Sequence, residues 1–392
     1  MIYSNFKGKQ ISRLGMGCMR LPTTASPGPI DEAKAHELIH AAHAGGINYF
    51  DTAYFYHGGN SERVLGQALK TIPRATWNIA DKMPGNLMRY ENGMLEIAGF
   101  NMEAKKFAGP TEVFEYQLER CGVDYFDFYL LHNVAETTFG IYTDEKLDMV
   151  GYLTEQKKAG RIGHLGFSAH GRAETIEAFL EHQDKLGRGD AMEFVMIQIN
   201  YLDWVLQEAD KKYEVLTKRS IPVFAMEPVR GGRLANLGEG AAPLAAARPD
   251  YSQAAWAFRY LQSLDNLPMI LSGMSNMEQL KENLELFEKV EEFTAADRDV
   301  IAQVVEGITE LAPCTACRYC VDACPKGLDI PKLLSMYNEA GYEVSWTLRA
   351  AVRAMEAGEL PAVCIKCGKC NPLCPQNINI PQALMRFDEL LA

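Results

Sequence analysis

No stretch of this 392-residue chain approaches the ~18 consecutive apolar residues of a membrane span. Its opening residues, MIYSNFKGKQISRL, hold no apolar core of the signal-peptide kind. The expectation is a cytoplasmic protein with no membrane association. Basic residues are in short supply: 39 Lys and Arg face 51 Asp and Glu, a net charge of -12. That balance argues against a general affinity for nucleic acid or anionic lipid. Cysteine is nearly absent before residue 314, with only Cys18 and Cys121, and the chain is far too long for a disulfide-stapled secreted scaffold. The first β-like run is not followed by GxGxxG, since Gly15-Met16-Gly17-Cys18-Met19-Arg20 fails the pattern. What is present, 47% hydrophobic and 23% charged residues, suits a folded globular chain of two or three domains, or one large barrel with an appendage.

From about residue 10 to 290, β-like apolar runs alternate with amphipathic helix-length segments. The runs are Leu14–Met19, Ile47–Thr52, Trp77–Lys82, Phe126–His132, Gly163–Ser168, Phe194–Tyr201, Ile221–Met226 and Met269–Gly273. Eight short strands, most followed by a helix, predict an α/β fold with a parallel sheet covered on both faces. A closed (β/α)8 TIM barrel suits this spacing better than an open doubly wound sheet. Helix starts are marked by Ser275 with Glu278 and Thr294 with Asp297, and helix ends by Gly45-Gly46 and Gly160. Between Lys82 and Thr111 lies a long stretch without helical pattern. It follows a strand, so in a barrel it belongs over the active-site face and reads as part of the substrate pocket.

After residue 310 the composition turns to Cys and Pro, and the sequence repeats with a shift of fifty positions: CTACRYCVDACPKGLDIP (314–331) and CIKCGKCNPLCPQNINIP (364–381). Each half reads C-x2-C-x2-C-x3-C-P. In the bacterial two-cluster arrangement that this run matches, three thiolates hold one iron–sulfur cubane and the fourth goes to the other. That implies Cys314, Cys317 and Cys320 with Cys374, and Cys364, Cys367 and Cys370 with Cys324. Zinc is the alternative for paired C-x2-C, but it gives no role to the third Cys or to Cys-Pro. The helical spacer, roughly 330–356, resembles the α-helical ferredoxin domains of multi-subunit redox enzymes. The domain boundary is expected near 295: residues 1–295 as the barrel, 296–392 as a helical connector with a small, mainly α-helical dicluster ferredoxin domain carrying two [4Fe–4S] clusters.

Within the barrel, GGINYFDTAYFYHGGNSERVLGQAL (45–69), together with IADKM, LLHN, RIGHLGFS and IQINY on later strands, closely resembles the aldo-keto reductases. The resemblance implies a catalytic set of Asp51, Tyr56, Lys82 and His132. Its chemistry is also legible from the residue types. A carbonyl receiving hydride needs a proton; a phenol of pKa ~10 gives one at neutral pH only beside a cation such as Lys82, which Asp51 would hold. His132 can polarise the carbonyl oxygen. The resemblance further implies a nicotinamide cofactor, NADP or NAD, held by Ser168 and Gln198 and bordered by Met19 and Arg20. Its phosphates and adenosine would lie along Ser272, Gly273, Met274, Ser275, Gln279 and Asn283, under a loop containing Gly231. This chain departs from the family pattern at Ala169, where Asn is usual, at Met226, where an aromatic stacks, and at Gly273 and Gln279, where many members carry Lys and Arg for the 2′-phosphate. A flavin is the alternative compatible with those departures.

The function so implied is an oxidoreductase that interconverts a small-molecule carbonyl and an alcohol. Its electrons would be relayed through the clusters, and an external carrier of the ferredoxin or flavodoxin type is a candidate partner. An electron-transfer or redox-sensing subunit with the barrel as docking module is the other reading. His36-Glu37-Leu38-Ile39-His40 matches HExxH, a zinc-site pattern, but falls on the first outer helix of the barrel and reads as ordinary helix surface.

Overall fold

The computed structural model describes residues 1–25, 28–99, 102–309, 312, 314, 318–374 and 376–392. The chain opens with an antiparallel hairpin, β1 (Tyr3–Phe6) and β2 (Lys9–Ser12). Barrel strands β3 (Leu14–Gly17), β4 (Tyr49–Asp51) and β5 (Asn78–Met83) follow. The antiparallel strands β6 (Met88–Glu91), β7 (Met94–Gly99) and β8 (Met102–Phe107) come next as a separate sheet. The barrel resumes with β9 (Phe126–Val134), β10 (Ile162–Ala169), β11 (Val195–Gln198), β12 (Val223–Met226) and β13 (Met269–Ser272).

Strands β3, β4, β5 and β9 to β13 pair in parallel and close on themselves, β13 returning to β3, as the periodicity predicted. Most are buried at every residue, which is why they read as apolar runs and not as alternating ones. At the N-terminal end of the barrel Phe6 from the hairpin lies against Phe128, Phe194 and Phe224 at ring distances of 5.3–5.9 Å, and these rings fill the interior.

The helices in chain order are α1 (Glu32–Ala44), α2 (Ser61–Leu69), α3 (Pro110–Cys121), α4 (Phe139–Tyr142), α5 (Met149–Lys158), α6 (Ala173–Lys185), α7 (Asp203–Leu206) and α8 (Ala209–Lys218). They continue as α9 (Ala242–Ala247), α10 (Gln253–Gln262), α11 (Met277–Leu286), α12 (Ala295–Ile308), α13 (Tyr319–Asp322), α14 (Ile330–Tyr342), α15 (Trp346–Arg353) and α16 (Ile380–Leu391). Among the described residues no helix is long and apolar enough to cross a membrane.

Three local expectations change. The segment between β5 and α3 is not a plain loop: Leu95 and Ile97 alternate with exposed neighbours and pair into the β6–β8 sheet. Ser275 does not cap α11. Asn276, in an extended conformation, folds its side-chain oxygen onto the Gln279 N–H at 2.9 Å. The spacer helix is two helices, because Ser345 accepts the Leu348 N–H at 3.1 Å and restarts the chain as α15. Thr294 and Asp297 do form the reciprocal cap on α12.

The chain divides into two compact units. One comprises Met1–Asn200, Lys211–Ala235 and Ala254–Phe293; the other comprises Tyr201–Asp210, Asn236–Gln253 and Thr294–Ala392. The second unit therefore takes in two short segments that follow β11 and β12 in the chain, a division no single boundary near residue 295 conveys. They are tied in by specific contacts. Gln207 donates to Glu339 at 3.0 Å, and Arg248 forms an ion pair with Asp297 at 2.5 Å. The core of this unit contains Leu328, Ile330, Leu333, Leu334, Met336, Leu348, Ile380, Leu384 and Phe387, together with Cys320 and Cys370.

Candidate active site and cluster cavity

Parallel closure brings the C-terminal ends of all barrel strands to one face. Asp51 ends β4, opposite Ala80 of β5; Lys82 lies two residues on; and His132 is on β9, following Leu131, which faces Met83. The predicted four therefore converge. The Lys82 ammonium donates to Asp51 Oδ1 and to the Thr52 carbonyl (2.7 Å) and reaches the Tyr56 hydroxyl at 3.4 Å. It also lies 4.9 Å from the Tyr56 ring centroid. His132 meets the Tyr56 ring edge-on at 5.9 Å and stacks on Phe55 at 4.8 Å with the ring planes nearly parallel, at 12°. The Tyr142 hydroxyl touches the carbonyls of His132 (2.6 Å) and Met83 (3.0 Å), pinning the ends of β9 and β5 together.

Burial sets the electrostatics. For Lys82, desolvation alone would lower the pKa, but the charge of Asp51, with Tyr56 and Asp81, outweighs it and holds the amine protonated. Tyr56 is pushed up to about 12, because desolvation outweighs the opposing pull of Lys82. The His132 pKa falls well below its ordinary value through burial first, then the nearby Lys82 charge and His170, so its imidazole is neutral. Two buried polar atoms here, Asp51 Oδ2 and His132 Nδ1, have no hydrogen-bond partner among the described residues.

Sequence reasoning missed the layer behind Lys82. Asp81 accepts the Lys82 N–H at 2.8 Å, and Gln117 joins the Lys82 carbonyl (3.0 Å) to Glu62 (3.1 Å). Glu62 in turn pairs with Arg120 at 2.6 Å. Burial, then the neighbouring Glu62, raises Asp81 far above the usual carboxylate range. A carboxylate inside the apolar run IADKM was the available signal, since a buried Asp needs partners. Phe55, which stacks on His132, carried no signal beyond its aromaticity.

The residues expected around a nicotinamide fall into two groups. Ser168 on β10 accepts the Asn133 N–H at 2.9 Å, and Gln198 ends β11 hydrogen-bonded to His170. His170 is itself pushed down to about 3 by burial, then by Lys212. Met226 ends β12. The second group surrounds the start of α11. Asn283 donates to Ser272 at 3.1 Å, Ser275 donates to the Arg20 carbonyl at 2.9 Å, the Ser275 N–H meets Gln279 at 2.8 Å, and Met274 is fully buried. Arg20 lies so close that a Cβ on Gly273 would come within 3.0 Å of its Cδ, and one on Gly231 within 3.0 Å of its guanidinium. Gly231 also needs its left-handed backbone, at φ 65°. Two glycines and the Arg20 guanidinium, itself 3.7 Å from the Glu227 carboxylate, lie beside the N-terminus of α11, where a pyrophosphate would meet them. Met19 is exposed beside Arg20.

Near the same face, a Cβ on Gly59 would come within 3.1 Å of Met102 in the β6–β8 sheet, so that sheet reaches the loop that carries Tyr56. In the HExxH helix His40 bonds the Ala68 carbonyl at 2.9 Å, and His43 beyond the motif bonds Thr76 at 2.9 Å, while His36 Nε2 is buried without a hydrogen-bond partner among the described residues.

In the second unit, Cys324, Cys364, Cys367 and Cys370 line one small cavity, with Leu328, Ile330 and Leu384 as its apolar wall. These are the four thiols that the two-cluster spacing groups together. Thiols spread around a cavity fit a multi-iron cluster. Of the other set, Cys320 is buried in the core, Cys314 and Cys374 pack against it, and Cys317 lies outside the described residues.

A family model described as aldo/keto reductase family matches residues 13–306, and one described as 4Fe-4S dicluster domain matches residues 313–380. The chain belongs to the aldo/keto reductase family. It is similar to an uncharacterized oxidoreductase, YqkF, of Bacillus subtilis, at 26% identity over 70% of this chain and 87% of that one. It is also similar to the NADH-specific methylglyoxal reductase of Escherichia coli, at 31% identity over 44% of this chain and 52% of the relative. Among solved structures, the aldo-keto reductase AKR11C1 of Bacillus halodurans superposes with a TM-score of 0.60 at 26% identity, covering 78% of this chain and 96% of that one. This aldo-keto reductase is thus a barrel oxidoreductase extended by a dicluster iron–sulfur domain.

Proposed function

We propose that the barrel reduces a small-molecule carbonyl, or oxidises the corresponding alcohol, with Tyr56 as the acid or base. The observation that carries this reading is the buried chain Asp51–Lys82–Tyr56 set beside a neutral His132. A bound nicotinamide would supply or accept the hydride. Tyr56 gives its proton to the developing alkoxide. Lys82, kept charged by Asp51, stabilises the phenolate left behind. His132, neutral and held by Phe55 and by the Tyr142 clamp on its backbone, donates a hydrogen bond to the substrate oxygen. Ser168 and Gln198 would orient the nicotinamide, and Arg20 with Gly231, Gly273 and the α11 N-terminus would hold its phosphates.

Cys314, Cys317, Cys320 and Cys374 would hold one [4Fe–4S] cluster and Cys364, Cys367, Cys370 and Cys324 the other. Such clusters supply one-electron chemistry, linking the cytoplasmic enzyme to an external electron carrier. Tyr56→Phe is the test of the barrel. Carbonyl turnover should fall by about 10²–10⁴-fold with iron content unchanged, and full turnover in that variant would sink the assignment. An anaerobic titration with NADPH and then NADH tests the link: bleaching of the cluster absorbance supports it, and clusters that only dithionite reduces count against it.

A further inference from the structure

The second cysteine motif sits in a part of the chain whose charge runs against the rest. Between Leu360 and Phe387 there are three cations, Lys366, Lys369 and Arg386, and no Asp or Glu, in a chain of net charge -12. Part of this segment lies at the cavity of the second motif. Lys326, Ile365 and Cys367 line the same cavity as the other thiols of that motif, and Lys366 Nζ lies 3.4 Å from Met385 Sδ. Lys326, Lys366 and Cys367 are exposed, as are Ile365 at 56% and Met385 at 37%. Cys370 of the same set is buried, so Cys367 is the thiol of this cavity that stands at the surface.

We propose that the face formed by Lys326, Ile365, Lys366 and Met385 around Cys367 is the docking surface for an acidic one-electron carrier protein of the ferredoxin or flavodoxin type. The proposal deepens the proposed function and rests on its electron-relay part. The chemistry that selects this partner is local. A small apolar centre flanked by two lysines suits the small, transient contacts of redox encounters, whose speed comes from charge steering. An acidic carrier is attracted to this face and repelled by the rest of the molecule, so the field orients it as well as drawing it in. Electron tunnelling falls steeply with distance, which favours contact where a cluster thiolate reaches the surface.

The test uses the anaerobic holoprotein with an acidic plant-type [2Fe–2S] ferredoxin, and the basic protein cytochrome c as the opposite-sign control. Binding is measured by calorimetry at low and high salt. Wild type should bind the ferredoxin in preference to cytochrome c, and more weakly as salt rises. The double variant Lys326→Glu/Lys366→Glu should weaken binding by at least about tenfold, while Lys185→Glu, on α6, should not. Iron and labile sulfide content identify any variant that has lost its clusters. Lys326→Gln/Lys366→Gln, with an intermediate loss, separates charge from packing.

Unchanged binding in the charge-reversed variant, or no binding by wild type, overturns the surface. So does a wild-type dimer that the same variant dissolves, which would assign the face to a second copy of the chain. If NADH bleaches the clusters but no ferredoxin docks here, the surface is wrong and the relay stands. If ferredoxin docks here but nicotinamide and clusters never exchange electrons, the relay fails and the surface stands.

Discussion

Tyr56 is an acid whose pKa has moved the wrong way for easy ionisation, up to about 12, because burial outweighs the help from Lys82. The sign has a direct consequence for pH dependence. Below that value the phenol keeps its proton, so carbonyl reduction should be flat in Tyr56 across the neutral range. Alcohol oxidation needs the phenolate and should rise with pH. Steady-state rates in both directions across pH check this; a reductive rate that falls near neutrality would assign the acid elsewhere. Lys82→Met removes the cation that opposes burial. It should raise the Tyr56 pKa further and cut turnover by about 10²-fold or more, shifting the oxidative profile to higher pH as well as lowering it.

At the scale of elements, α2 meets α3 through a glycine. A Cβ on Gly66 would stand 2.1 Å from the Cys121 carbonyl oxygen, a backbone atom that cannot step aside. Gly66→Ala should therefore destabilise the protein by about 1–3 kcal/mol in urea unfolding, whereas Gly140→Ala on α4, with open space around it, should not. Acid acts on another junction. Glu193, just before β11, bonds Lys157 at 2.5 Å and His164 at 3.3 Å. Burial alone would raise its pKa, but these partners hold it down at about 2. A depressed carboxylate contributes stability that is complete above its unfolded value near 4.5 and is lost as pH falls toward 2. Glu193→Gln should lower the melting temperature at neutral pH and shrink the wild-type advantage at about pH 3.

For the whole molecule, the two units draw on different sources of stability. The barrel has a ring-filled interior and a closed sheet, while the second unit buries a small core that includes two candidate cluster ligands, Cys320 and Cys370. Small cores that bind metal fold with it. Removing iron with a chelator under oxidising conditions should lower a first thermal transition, detected by proteolysis within 294–392, and leave the barrel transition in place. A single transition unchanged by iron removal would refute this.

The order of the barrel strands, their count of eight and the gathering of Cys324 with Cys364, Cys367 and Cys370 were legible in the sequence because they rest on local periodicity and fixed spacing. Asp51, Tyr56, Lys82 and His132 were reached through the resemblance to the aldo-keto reductases, and the apolar runs placed them at or just past strand ends. The β6–β8 sheet was half-legible, its alternation of Leu95 and Ile97 masked by the length of the segment. Other features could only be decided in three dimensions. The stacking of Phe55 on His132 and the Glu62–Asp81–Gln117 layer behind Lys82 join residues far apart in the chain. The same holds for the transfer of 201–210 and 236–253 to the second unit, and for the upward pKa of Tyr56. Sequence carries the local rules of helix, strand and ligand spacing. Burial and distance, which set pKa and pair remote side chains, exist only once the chain has closed on itself.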